Sequence, residues 1–267
     1  MPNTASLSAV LSAMLMVTVL PTAFAQSTVQ STAQTAPPAS TSDSFFGLGV
    51  GVSTDRSPYT GVGYENHLIP VVSYESRLFS IQGKTADVHL LGDERLSFSA
   101  RAEYGFGDGY KGSDAPALNG MSHRKESIWL GGVVEWDAGW ADLTASWLGD
   151  ASGRSKGQQV GLGLERDFPM GQWLLTPRIG AIWQDSKFVD YYYGVRSSEA
   201  RPGRAAYAGK SAISTELGVR AQYSLTPKQT VFLDLSANRV GSSIQDSPIV
   251  DRTWLPAVRA GYLYRFN

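Results

Sequence analysis

Residues 257–267 read AVRAGYLYRFN, with Val258, Ala260, Tyr262, Tyr264 and Phe266 at every second place and Arg259, Gly261 and Arg265 between them. A period of two is the signature of a strand whose faces meet different surroundings. The same alternation recurs upstream. In FFGLGVGVS, Phe46, Leu48, Val50 and Val52 oppose Gly47, Gly49, Gly51 and Ser53. In LSFSARAEYGF, Leu96, Phe98, Ala100, Ala102, Tyr104 and Phe106 oppose Ser97, Ser99, Arg101, Glu103 and Gly105. Leu217, Val219, Ala221 and Tyr223 oppose Glu216, Gly218, Arg220 and Gln222, and Leu233 and Leu235 oppose Asp234 and Ser236. Each segment runs about ten residues, the length that takes a tilted strand across the hydrocarbon layer. No helical period stands out from Phe45 onward, so the expected fold class is all-β.

A soluble barrel places its apolar face inside, and a membrane barrel places it outside. Three features choose the membrane. The polar face mixes Gly, Ser and Thr with carboxylates and Arg, as a crowded wet lumen requires, and lacks the Lys- and Glu-rich coat of a soluble sheet. The apolar faces carry almost no charge, and the exceptions, Arg166 and Arg239, fall at strand ends where they can reach headgroups. Aromatics gather near strand ends at Tyr104, Trp136, Trp147, Trp173 and Trp183, where interfacial girdles form.

The ends of the chain agree. Residues 1–25 read as a signal peptide, with an apolar run over 7–20 and small residues at Ala23 and Ala25 for cleavage. Residues 26–44 are a low-complexity Ser, Thr, Gln and Pro leader, and 45–267 form the barrel. Strands are expected at 45–53, 68–75, 77–83, 86–91, 95–105, 126–137, 140–149, 158–167, 173–185, 211–225, 230–240 and 253–266. This gives a closed, antiparallel, up-and-down transmembrane barrel of about twelve strands. If 77–91 forms one bulged strand the count becomes odd and a neighbouring assignment must change too, and ten strands is then the alternative. Brief turns, GDE at Gly92, DAG at Asp137, FPMG at Phe168 and LTPK at Leu225, alternate with mostly longer loops, which places both termini in the periplasm.

Composition excludes several functions. A formal net charge of −1 gives no bulk attraction to nucleic acid, and the absence of cysteine removes thiolate metal sites and Cys nucleophiles. The three histidines, His67, His89 and His123, sit in no nucleophile–base constellation and in no metal-ligand spacing. The reading is a non-enzyme without metal or cofactor.

DYYYGV at 190–195, followed by Glu199, Tyr207 and Gly209, resembles the signature region of the MipA/OmpV family, the MltA-interacting outer-membrane proteins of Gram-negative bacteria. LIPVVSYES with Pro70 and Tyr74, GYKG at 109–112 and the YRF ending carry the same resemblance, which covers the chain from about Phe45. It implies a scaffold that brings a murein lytic transglycosylase together with a murein synthase. A small porin-like channel for polar solutes and a surface adhesin or antigen are the alternatives.

Three residue sets follow. Tyr191, Tyr192, Tyr193, Arg196, Arg201, Arg204 and Tyr207 form a candidate interaction loop, able to grip a sugar or peptide or to pack over the barrel mouth. Arg101, Glu103, Glu135, Arg178, Glu216, Arg220, Asp234, Arg259 and Arg265 are the expected lumen charges, either a salt-bridged plug or the lining of a pore. Tyr262, Tyr264 and Phe266 resemble the terminal signal read by the barrel-assembly machinery, with the even-numbered residues of that strand facing outer-membrane lipid.

Overall fold

A computed structural model of the chain describes residues 44–105 and 109–266. The signal peptide and nearly all of the leader expected from the sequence lie outside the described residues. The rest is one antiparallel sheet closed on itself. Its strands are β1 (Phe45–Arg56), β2 (Tyr64–Glu75), β3 (Phe79–Gln82), β4 (Thr85–Gly92), β5 (Leu96–Tyr104), β6 (Ile128–Asp137) and β7 (Asp142–Asp150). They continue as β8 (Gln158–Glu165), β9 (Phe168–Met170), β10 (Trp173–Gln184), β11 (Ala212–Thr226), β12 (Gln229–Arg239) and β13 (Trp254–Arg265). Neighbours in chain order pair, except that β8 and β9 both pair with β10, and β13 closes on β1 with Gly261 opposite Gly51. Closure satisfies the backbone hydrogen bonds of the paired strands, as crossing lipid requires, and among the described residues leaves one edge of β2 unpaired beyond Ser73.

The thirteenth strand does not add a place to the twelve-strand wall. Glu165 pairs with Arg178 and Phe168 with Leu175, so β8 and β9 keep one register along β10. The break falls opposite Pro177, which has no N–H to give to the ladder. FPMG therefore is not all turn: its first three residues continue the strand, and Gly171, at φ 65°, makes the reversal. The doubtful stretch at 77–91 forms two strands, β3 and β4, folded at Gly83.

The two rims differ. Both ends of the barrel, Phe45 and Arg265, lie on the rim with the short turns, where Phe266 N–H donates to the Phe46 carbonyl at 2.9 Å and the two rings stack at 5.6 Å. Tyr264 meets Phe266 edge-on at 5.0 Å. The long connections gather at the opposite rim and hold two helices, α1 (Ser186–Tyr193) and α2 (Ser242–Gln245). The sequence reading expected no helix, and this is corrected. At two turns α1 is too short for a period to emerge, and its start depends on the Asp185 carboxylate accepting from the Phe188 N–H at 2.8 Å.

The facing of the strands follows the alternation. Val52, Leu68, Leu162, Ile179, Leu217 and Val258 are exposed on the outer wall, whereas Ser53, Arg101, Arg178, Glu216 and Asp234 are buried within. Among the described residues no helix is long and apolar enough to cross a membrane. The strands carry the apolar surface.

Candidate functional site: the packed loop rim and the ionic lumen

Inside the wall, Arg178 on β10 is the centre of a network that crosses five strands. Its Nε donates to Glu216 Oε1 at 2.8 Å, and its Nη1 and Nη2 donate to the Asp234 oxygens at 2.8 and 3.0 Å. Arg220 Nε reaches Asp234 Oδ2 at 3.0 Å, and Arg259 Nη2 reaches Asp55 Oδ1 at 2.6 Å. Gly218 makes the central position possible, because a Cβ there would lie 2.7 Å from the Arg178 guanidinium carbon. Three guanidiniums meet three carboxylates, so the desolvation cost of each is offset by a partner.

A second group crosses β4, β5 and β6. Arg101 forks onto Asp87 at 2.8 and 2.6 Å and approaches Glu135 at 3.7 Å. Nearby, His89 lies 3.3 Å from Glu75, and Glu103 pairs with Lys84 at 2.9 Å. Arg265 stands apart, with its guanidinium 4.4 Å from the centre of the Phe45 ring.

At the loop rim the interior becomes apolar. Trp129 and Leu148 point inward, where the alternation calls for polar residues, and pack with Phe188, Val189, Tyr192, Val240, Ile244 and Leu255. Trp129 has no exposed surface, and its ring lies 5.5 Å from that of Phe188. A second cluster joins Tyr59, Tyr110, Leu118, Met121, Val195 and Ile249 from four loops. Burial by apolar neighbours pushes the Tyr110 hydroxyl up to about 12.

The candidate loop is woven into this packing. Tyr192 is fully buried and donates to Ser127 Oγ at 3.0 Å, while the Tyr191 hydroxyl accepts from the Lys125 N–H at 3.0 Å. Tyr193 stacks on Tyr59 at 5.7 Å. Val195 and Tyr207 exchange backbone hydrogen bonds, and the Tyr207 hydroxyl donates to the Ser243 carbonyl. Arg204 is buried and spends its guanidinium on the carbonyls of Ala117, Asn119 and Glu199, and Arg201 donates to Pro116 O at 2.6 Å. The backbone N–H of Arg196 donates to Glu199, and its side chain is exposed.

Glu199 ties these loops together. Its carboxylate accepts from Arg124 Nη2 at 2.8 Å, from the Ser122 N–H at 3.0 Å and from the Arg196 N–H at 3.1 Å. Burial works to raise its pKa, but these donors outweigh burial and hold it at about 2. Arg124 also donates from Nε to the Tyr191 carbonyl at 2.7 Å. Sequence reading missed Arg124, Trp129 and Leu148. The available signal was inward apolar residues breaking the polar stripe of β6 and β7, which marks where another part of the chain must cover the wall.

The family model described as MltA-interacting protein MipA matches residues 47–266. The chain belongs to the MipA family. Among MipA relatives, it is 27% identical over 234 residues to the outer membrane protein YiaT of Escherichia coli K12, covering 85% of this chain and 94% of the relative. It is 26% identical over 237 residues to the MltA-interacting protein of the same strain, covering 87% and 94%. The NanC porin structure is similar with a TM-score of 0.47 and 11% identity, covering 81% of this chain and 98% of that one. This MipA-family chain is an outer-membrane β-barrel.

Proposed function

We propose that this barrel is a non-enzymatic scaffold of the outer membrane that holds murein-cleaving and murein-synthesising enzymes together. The carrying observation is the loop rim, where apolar packing and the Arg124–Glu199 pair draw four loops into one body over the lumen. A barrel so filled supplies a rigid anchor more readily than an aqueous path. The name of the MltA-interacting relative supports the choice of partner.

In this reading the rim with the short turns and both barrel ends faces the periplasm, where murein is made and cut, and the barrel-assembly machinery reads Tyr262, Tyr264 and Phe266. Affinity capture on the full chain, folded in lipid, tests the proposal. A lytic transglycosylase and a murein synthase recovered together support it. Their absence from the capture, with the barrel folded, rejects the scaffold.

A further inference from the structure

One part of the lumen departs from both patterns described above. Across β12, β13, β1 and β2 the inward residues Phe232, Gly261, Gly51 and Ile69 stand in one row, and Thr230, Leu263, Gly49 and Val71 in the next. The glycines form a floor without side chains. A Cβ on Gly261 would strike the Phe232 ring at 2.6 Å, and one on Gly51 would lie 3.0 Å from Ile69. Phe232 and Ile69 therefore lean over a bare strip of backbone.

Phe232, Ile69, Thr230, Leu263 and Val71 line a cavity together with Arg220, Asp234 and Arg259, and Phe232 and Ile69 lie between it and the glycines. Phe232, Ile69 and Val71 remain half-buried, so the chain does not cover them as it covers Trp129. An uncovered apolar strip in a polar lumen is costly to wet.

The cavity also meets an interruption in the wall. The short β3 pairs with β2 only at Ser73, Tyr74 and Glu75, and the Gly83 N–H donates to the Val72 carbonyl at 3.0 Å. Beyond that point, among the described residues, no strand pairs with the same edge of β2. Ile69, Pro70, Val71, Val72, Gln82 and Gly83 border the cavity there. Pro70 suits such an edge because it has no N–H.

Directly above the apolar rows stand two guanidiniums with donors to spare. Arg220 donates through Nε to Asp234, and Arg259 Nη1 has no hydrogen-bond partner and lies 3.8 Å from Asp234 Oδ1. A guanidinium fork matches a carboxylate, and the apolar strip of Phe232, Leu263, Ile69 and Val71 matches an alkyl chain.

We infer that this cavity binds a single-chain amphiphile with a carboxylate head, seated on Arg220 and Arg259 with its chain along Phe232, Leu263, Ile69 and Val71, and that the molecule enters from the bilayer over the β3–β4 hairpin. The site is independent of the scaffold role.

The test uses the full chain reconstituted in nanodiscs and titrated with dansyl-undecanoate. Saturable one-to-one binding above empty nanodiscs is expected, displaced by decanoate at least tenfold more effectively than by decanol, and not by butyrate. R220Q and V71W, each retaining the heat-modifiable migration of a folded barrel, should weaken binding at least tenfold; I69W replaces V71W should the latter misfold. The chain has no native cysteine, so a bulky maleimide adduct on Q82C should block uptake. Absence of saturable binding, equal displacement by decanol and decanoate, or wild-type binding by R220Q or V71W overturns the site. Unchanged uptake by the Q82C adduct overturns the entry route.

Discussion

The lumen places apolar side chains inward in two regions and treats them differently. Near the loop rim, Trp129 and Leu148 lie under α1 and the long connections, and Trp129 has no exposed surface. Toward the turns, Phe232 and Val71 border a cavity and remain half-buried. The same break in the polar stripe thus has two outcomes. Where 14 to 27 residues separate successive strands the chain supplies its own cover, and where two- or three-residue turns join them no segment is long enough to reach inside.

The loop rim should be most sensitive to substitution at Arg124. In R124A, Glu199 keeps its burial and loses its charged partner, a change that costs about 3–5 kcal/mol at a buried pair. Amide exchange across residues 186–210 should accelerate strongly while the strands stay protected. F188A should act next, because removing a buried ring leaves a cavity beneath α1 and costs about 3–4 kcal/mol. Its effect should appear as proteolytic cleavage within the same loop at a concentration that spares the wild type.

Acid offers a graded version. The Glu199 pKa falls from 4.5 to about 2 on folding, so its stabilising effect is fully present above pH 4.5 and is lost as the pH drops toward 2. Loop protection should therefore decline through that window in the wild type, and E199Q should start from lower protection and show a flatter profile. The smallest effect belongs to D185A, which removes the α1 cap and costs about 1 kcal/mol, visible as faster exchange confined to the first turn of that helix.

The wall was legible in the sequence because strand period, turn residues and the inward–outward rule all act over a few neighbours. Arg178, Glu216, Asp234 and Arg259 fall on the inner face by parity alone. What parity could not supply was who meets whom: Arg178 reaches Asp234 across 56 positions of sequence, a distance set by closure of the barrel and not by local pattern. The loop rim was harder still. Arg124 and Glu199 lie 75 positions apart in segments without periodicity, and α1 is too short to announce itself. The split of β8 from β9 was readable in principle, since Pro177 has no N–H to give to one of the two strands beside it.

The central claim is that the chain seals its own loop rim through the packing around Trp129 and the Arg124–Glu199 pair. Single-channel recording of the refolded protein in a planar bilayer tests it directly, with R124A alongside. A silent wild type and discrete conductance steps in R124A are expected. Steady steps of equal size from both proteins would contradict it.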